Sequence, residues 1–176
     1  MRTSVVFTLT GKDRPGIVEE VTAVLLELDA NVELSRMARL GGEFAILMMV
    51  SVPSANLADI GVAVDDLSSR GYQVTTSETV PTHAESRVGW ASYRIRVRGA
   101  DHEGIIHQIA AGLSLRGINI ESVETETTRA PISGTALFSM TAVVAVPPDL
   151  ADSDWMVELS EAGNQANVDI TVSDAE

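Results

Sequence analysis

Two short segments carry the residue types best suited to hold a small ligand. GKDRPGIV spans Gly11 to Val18, and GADHEGII spans Gly99 to Ile106. In each segment an acidic residue stands between two glycines, just before an apolar pattern that predicts a helix. Backbone N–H groups at a helix start attract an anion such as a carboxylate, and a carboxylate side chain attracts an ammonium group. Together these groups are the complement of a free amino acid.

An asparagine follows each segment at the same spacing. Asn31 and Asn119 stand fifteen residues after Gly16 and Gly104, at the predicted start of the next strand. We expect each asparagine to return beside its own loop, where its amide can donate and accept hydrogen bonds. The alternative is a turn residue that tolerates a left-handed backbone.

The helix start itself has a purely structural interpretation. Asp13 is a candidate N-cap, and Pro15 falls in the predicted first turn, where no N–H is required of it. Gly16 lets a ligand or a neighbouring backbone approach closely. A well-capped helix without any ligand would use the same residues.

Composition limits the function classes. The 176 residues carry a net charge of −13, the wrong sign for a protein that mainly neutralises phosphates, so we expect no direct nucleic-acid binding. There is no cysteine, and three histidines leave little room for a metal site. The longest apolar run, Phe44 to Val50, is far too short to span a bilayer. With no signal-peptide pattern at the start, we expect a cytoplasmic protein.

The chain repeats itself at an offset of 88 positions. Between Thr8–Glu33 and Arg96–Glu121, eight of 26 pairs are identical; beyond them the offset becomes 94, so the second copy has six extra residues around TTRAPISG. Each copy reads strand, helix, strand, strand, helix, strand. A Gly41-Gly42 turn predicts a type I′ hairpin in the first copy, and Gly117 predicts a left-handed helix end in the second.

This element order predicts an α+β protein made of two tandem ferredoxin-like βαββαβ domains, each a four-stranded antiparallel sheet with two helices on one face. We place the first domain at residues 1–80, a linker at 81–92 and the second domain at 93–176. The predicted core faces use alternating strand residues and helical stripes. They include Val5, Phe7, Leu9, Ile17, Val21, Val24, Leu25 and Leu28 in the first copy, and Tyr93, Ile95, Val97, Ile105, Ile106, Ile109 and Leu113 in the second.

The sequence resembles a known family. DRPGIV opening a helix, NVE starting the next strand and LGGEFAILMMVS are similar to the first half of the glycine cleavage system transcriptional repressor family, and each half resembles an ACT domain. The resemblance implies a non-catalytic regulator with no cofactor that binds a small amino acid, glycine-like or serine-like, at an interface between ACT domains. It also implies that the chain regulates another protein, and we expect it to act as a homodimer. The implied ligand contacts are Gly11, Asp13, Arg14, Pro15, Gly16, Ile17 and Asn31, with Asp101, Gly104, Ile105 and Asn119 as counterparts.

The two loops differ from each other and from some ACT domains. A histidine that some amino-acid-binding ACT domains use is replaced here by Gly11 and Gly99. The second loop has His102 and Glu103 in place of Arg14 and Pro15, and Glu103 would oppose a bound carboxylate. The first loop is therefore expected to be the better site.

Other functions remain open from the sequence. A constitutive interaction module would keep both loops empty. An acylphosphatase-like hydrolase would use Arg14 with Asn31, and a metal site would use Asp101, His102, Glu103 and His107, although the two histidines do not share a helix face. A last feature is the alternation of Arg94, Arg96 and Arg98 on one strand face, which indicates a solvated surface or a docking face for acidic groups.

Overall fold

The structure is a computed structural model that describes residues 1–80, 87–150 and 154–175. The chain divides into two compact units, Met1–Thr82 and His83–Glu176. Each unit is an α+β ferredoxin-like fold with one four-stranded antiparallel sheet and two helices, as the sequence predicts. Of the predicted 81–92 linker, residues 81–86 lie outside the described part. Ala91 and Ser92, also placed in the linker, belong to the first strand of the second unit.

The first unit has four strands and two helices in the predicted order. They are β1 (Arg2–Lys12), α1 (Ile17–Glu27), β2 (Asn31–Leu40), β3 (Glu43–Pro53), α2 (Ile60–Ser69) and β4 (Gln73–Thr79), with a 3₁₀ segment at Ser54–Asp59. The sheet order is β2-β3-β1-β4. The apolar β3 is thus an inner strand, and its residues Ile46, Met48 and Val50 are buried.

The second unit repeats this arrangement. Its elements are β5 (Ala91–Ala100), α3 (Ile105–Ser114), β6 (Asn119–Arg129), β7 (Ala136–Val146), α4 (Trp155–Gln165) and β8 (Val168–Asp174). The sheet order is β6-β7-β5-β8. The corresponding edge strands β2 and β6 carry a register irregularity at the same place, between Val32 and Leu34 and between Ile120 and Ser122. The repeat therefore extends to the hydrogen-bond register.

Each unit has its own hydrophobic core between sheet and helices. The strand alternation is confirmed, because Val5, Phe7 and Leu9 are buried and Ile95 and Val97 are fully buried. Trp155 packs edge-on against Tyr93, with ring centroids 5.3 Å apart. The helical stripe of α1 is confirmed in full.

Three local predictions are wrong. Ile106 was expected in the core but is 47% exposed, because it lies one step off the Ile105–Ile109–Leu113 face. The Gly41-Gly42 turn has a positive φ at Gly41 alone, the pattern of a type II′ turn. The helix predicted from about Pro15 begins at Ile17, so Pro15 lies before the helix and not in its first turn. By contrast the predicted left-handed end of α3 is confirmed, since Gly117 has φ +69° and the N–H of Ile118 donates to the carbonyl of Leu113.

Candidate ligand-binding loops

The first loop is shorter than its sequence motif. β1 continues through Gly11 to Lys12, so the connection to α1 is Asp13–Gly16. Gly16 is the residue before the helix and has φ +96°, a left-handed backbone that glycine adopts without strain. No side chain caps the N–H groups of the first turn. Those donors of α1 are therefore available to an anion.

Asp13 is not the helix cap that the sequence predicts. Its backbone N–H donates to the carbonyl of Gly42, which ties the loop to the β2–β3 turn. Its carboxylate lies 3.8 Å from the guanidinium of Arg39 on β2. Because the left-handed Gly16 turns the chain between Asp13 and the helix, the carboxylate is left on the sheet side of the loop.

The second loop has the same backbone. Gly104 has φ +91° and precedes α3, again with no side-chain cap. The N–H of Asp101 donates to the carbonyl of Ala136, the first residue of β7. The carboxylate of Asp101 accepts a hydrogen bond from Thr127 on β6, at 3.5 Å. Asp101 is therefore held on the sheet side of its loop, as Asp13 is.

The glycine that opens each motif is needed for packing. A Cβ on Gly11 would lie 2.6 Å from the ring of Tyr72, and one on Gly99 would lie 2.7 Å from the side chain of Val168. Tyr72, just before β4, and Val168, the first residue of β8, occupy equivalent places in the two units. Both glycines thus allow that strand to approach the end of the first.

Arg14 belongs to a cluster with Glu20 and Tyr72. Its guanidinium donates two hydrogen bonds to the carboxylate of Glu20, at 2.5 and 2.8 Å, and lies 5.5 Å from the centre of the Tyr72 ring. The Tyr72 hydroxyl donates to Glu20 at 3.2 Å. The hydrogen bond from Arg14 lowers the pKa of Glu20, and burial raises the pKa of Tyr72. This cluster holds the guanidinium of Arg14 beside Glu20 of α1 and the ring of Tyr72.

His102 takes the place of Arg14 in the second unit. One ring nitrogen lies 2.6 Å from the carbonyl oxygen of Ala166 and the other 3.0 Å from that of Glu103. Two carbonyl acceptors require two N–H donors, so the imidazolium is favoured and the pKa of His102 is raised, with Ala166 as the main cause. Within the described ranges no group of three or more His, Asp and Glu side chains is placed to hold a metal ion.

An open cleft of about 600 Å³ lies beside the second loop. It runs between the start of α3 and the outer strand β6. Its lining residues are Asp101, His102, Gly104, Ile105, Ile106, His107, Ala110, Thr125, Thr127 and Phe138. The first unit has a cleft of about 410 Å³ between α1 and β2, but it is lined by Ala30 and Val32 near the start of β2 and by residues of α1 from Glu19 onward. Another cleft of the first unit, of about 560 Å³, is lined by Gly11 and Lys12 but not by the start of α1. The cleft beside the second loop does include the residues at a helix start.

The asparagines do not face their own loops, contrary to the sequence prediction. Asn31 pairs with Ser51, which pairs with Ser4 near the start of β1, whereas the loop follows Lys12 at its end. Eight residues of strand separate these two levels, about 27 Å. Asn119 is placed in the same way, and its side chain donates to the carbonyl of Ile120. Because β2 runs parallel to β1 with β3 between them, the helix returns the chain to the beginning of β1.

Sequence reasoning missed Glu20, Tyr72, Thr125 and Thr127. Glu20 stands six residues after Arg14, a spacing that does not predict a contact within a helix. The two side chains meet because the left-handed Gly16 turns the chain between them. Tyr72 could have been found from the predicted fold, since the last strand of a split βαβ unit pairs with the first. The two threonines of β6 alternate with outward-facing glutamates, and this period places them on the helix side of the strand.

Sequence comparisons with known proteins match parts of the chain. The family model for the ACT domain matches residues 3–75. A UPF0237 protein of Methanococcus maripaludis is 37% identical over 68 residues, which are 38% of this chain and 76% of that protein. The glycine cleavage system transcriptional repressor of Escherichia coli is 46% identical over 46 residues, which are 26% of this chain and 24% of the repressor. The sequence similarity to that repressor thus covers about a quarter of its length.

Two solved structures match the whole chain. One is a crystal structure of a protein of unknown function from Galdieria sulphuraria, with a TM-score of 0.86, 34% identity and complete coverage of both chains. The other is a proposed glycine cleavage system transcriptional repressor, with a TM-score of 0.74 and 21% identity over 100% of this chain and 99% of that one. At that identity the second match shows the fold alone. None of the described helices is long and apolar enough to cross a membrane.

Proposed function

The chain belongs to the ACT-domain family, and from that membership we propose that it is a non-catalytic regulator that senses a small amino acid and acts by contact with another protein. Its relationship to the Escherichia coli glycine cleavage system transcriptional repressor supports a role in regulating amino-acid metabolism, with glycine or serine as the first ligands to test. We also propose that it works as a homodimer.

The observation that carries the proposal is the repeated helix start. In both units a left-handed glycine, Gly16 or Gly104, opens a helix whose first N–H groups have no side-chain cap. Such a helix end suits the carboxylate of an amino acid. Asp13 and Asp101 supply an acceptor for its ammonium group close by in sequence. Ile17 and Ile105, both buried, anchor the helix beneath the loop.

The position of its cleft favours the second loop, because that cleft includes the helix start at Gly104 and Ile105. Arg14 is occupied by Glu20, and Pro15 precedes the helix. The second loop instead lines an open cleft that also presents the hydroxyls of Thr125 and Thr127. Against this, Glu103 adds negative charge near the helix start. We propose the cleft beside Asp101, Gly104 and Ile105 as the first place for a ligand, with the Asp13–Ile17 loop as the second.

The two asparagines would contact a ligand only from a neighbouring ACT domain. Asn31 and Asn119 lie at the far end of the sheet from their own loops. If the ligand is held at an interface between ACT domains, as the family resemblance implies, an asparagine reaches it from an ACT domain of a second chain. The homodimer would then complete the site.

Calorimetry and thermal shift with glycine, L-serine, L-alanine and L-threonine test the proposal. A ligand as small as glycine, with five non-hydrogen atoms, reaches about micromolar affinity at best, so millimolar concentrations are needed. Asp101→Asn and Asp13→Asn keep the side-chain shape and remove the charge that would hold the ammonium group. Asp65→Asn, on the exposed face of α2, is the matched control.

We expect one amino acid to raise the melting temperature of the wild type and of Asp65→Asn, and to bind more weakly to Asp101→Asn. A loss confined to Asp13→Asn would move the site to the first loop. No heat and no shift with any of the four amino acids would contradict sensing and favour a constitutive interaction module.

The hydrolase alternative has a specific structural objection. An acylphosphatase-like site would need Arg14 and Asn31 together, and β1 separates their levels by about 27 Å. Arg14 is also paired with Glu20. Turnover of a model acyl phosphate that is lost in Arg14→Ala would overturn this conclusion.

A further inference from the structure

Three arginines form a row on the outer face of the second sheet. Arg94, Arg96 and Arg98 alternate with Ile95 and Val97, which are fully buried against the helices. Because successive strand residues point to opposite faces, the arginines face away from the helices. Arg96 and Arg98 are exposed, and Arg94 is half-buried.

Two glutamates form a second row on the same face. Glu124 pairs with Thr141 of β7, and Glu126 pairs with Ser139. The neighbours of these two β7 residues, Phe138, Met140 and Ala142, are buried, so Thr141, Ser139 and the glutamates opposite them face outward. Both glutamates are exposed. We call Arg94, Arg96, Arg98, Glu124 and Glu126 the charged face.

The two rows are level with each other across β7. Thr141 is paired on one side with Arg96 and on the other with Glu124. Ser139 is paired with Arg98 and with Glu126 in the same way. Two strand spacings separate the rows, about 10 Å. Within the described part of the chain, no ion pair shorter than 4 Å involves any of these five side chains.

The charged face belongs to the second unit and has no equivalent in the first. The positions that correspond to Arg96 and Glu124 are Thr8 and Arg36, since both pairs flank the same position of the third strand, Thr141 or Leu47. Leu47 is itself 50% exposed. The two charge rows are therefore not required by the fold.

We propose that the charged face binds the same face of a second copy of this chain. The two-fold axis would run parallel to β7, midway between the two sheets. Rotation about an axis parallel to β7 exchanges the two flanking strands and preserves the level along them. Arg96 of one copy then lies over Glu124 of the other, and Arg98 lies over Glu126. Each contact occurs twice, because a two-fold interface is self-complementary. The inference rests on the homodimer proposed above and names its surface.

The size and chemistry of the face indicate a weak, salt-sensitive dimer. Four strands paired over about seven residues present roughly 500 Å² per copy, near 1,000 Å² in total, the lower limit for a specific interface. Stacked sheets lie about 10 Å apart with strand directions within about 30° of each other, which long Arg and Glu side chains can span. Charge complementarity at such distances favours correct pairing and is weakened by salt.

Charge reversal at Arg96 and Glu124 tests the interface. Arg96 is the best choice because both of its strand neighbours, Thr141 and Thr171, are neutral, whereas Arg98 has Asp169 beside it. Arg96→Glu and Glu124→Arg each place like charges opposite each other in a dimer of identical copies. A mixed dimer, with one copy of each variant, has only opposite charges at these contacts. Arg36→Glu, at the position that corresponds to Glu124, is the matched control.

Sedimentation equilibrium of the full chain at low salt measures the outcome. We expect a wild-type and Arg36→Glu dimer, a dissociation constant at least about tenfold weaker for each charged-face variant, and recovery when the two variants are mixed. The double variant in one chain should also recover, which excludes misfolding as the cause. If Arg96→Glu leaves the dimer unchanged, the proposed interface is wrong but the homodimer stands. A mixture of the two variants that stays monomeric would also contradict the proposed interface. A monomeric wild type would overturn both, whereas the amino-acid titration tests sensing separately.

Discussion

Gly11 lies so close to Tyr72 that a Cβ on the glycine would stand 2.6 Å from Cδ1 of the ring. Tyr72 is 5% exposed, and its hydroxyl donates to Glu20 beside the loop. The glycine that opens the first motif therefore sits beneath the loop and lets Tyr72 reach the Arg14–Glu20 pair. The first glycine of the motif thus has a packing role of its own.

Gly11→Ala should destabilise the first unit. The ring of Tyr72 is buried and hydrogen-bonded, so it cannot move away freely, and such overpacking costs about 1–3 kcal/mol. Hydrogen exchange of the buried β1 amides reports the loss, because it is specific to one unit. Gly42→Ala, where no atom lies within 4 Å of the added Cβ, is the control. Equal protection in both variants would contradict the tight contact.

Glu20→Gln should remove a pH-dependent part of the first unit's stability. The hydrogen bond from Arg14 lowers the pKa of Glu20 in the folded state, so the charged carboxylate stabilises the fold. This contribution is present above the carboxyl's usual pKa of 4.5 and is lost as the pH falls through the lowered value. We expect the difference in unfolding free energy between wild type and variant to shrink on acidification. A difference that is constant between pH 3 and 7 would contradict the ion pair.

His102→Ala should have the opposite pH dependence. The carbonyls of Ala166 and Glu103 raise the pKa of His102, so the imidazolium stabilises the folded second unit. That stability is complete below the usual pKa of 6.5 and is lost as the pH rises through the raised value. Denaturation of wild type and variant should therefore differ more at pH 5.5 than at pH 9. His107→Ala, which lines the same cleft, is the control.

The core and the element order follow from local pattern. Alternation at Val5, Phe7 and Leu9 and the stripe at Ile17, Val21 and Val24 are properties of single segments, which a sequence shows directly. Because the same pattern occurs in both copies of the repeat, each strand and helix is predicted twice. These features identify the fold without any three-dimensional information.

The site depends on which segments meet, and there the sequence prediction is wrong in two ways. The sequence predicts Asn31 beside its loop, but β2 runs parallel to β1, and the register puts Asn31 at the opposite end. Asp13 was expected to cap α1, but the backbone of Gly16 decides where that carboxylate goes. A positive φ at one residue redirects a side chain three positions away, which propensity alone does not show.

Asp29 ends the first helix of its unit in the same left-handed conformation that Gly117 has after α3. Asp29 follows α1 with φ +52°, and its counterpart after α3 is Gly117 with φ +69°. In both, the next residue donates its N–H to the carbonyl of Leu25 or Leu113, so each helix ends in the same left-handed turn. Asp29→Gly should leave this turn intact, whereas Asp29→Ala keeps the Cβ but loses the carboxylate, and with it the local hydrogen bonding open to aspartate. We expect Asp29→Ala to unfold more easily than Asp29→Gly by about 1 kcal/mol in chemical denaturation. Equal stability of the two variants would show that the turn relaxes away from the left-handed region.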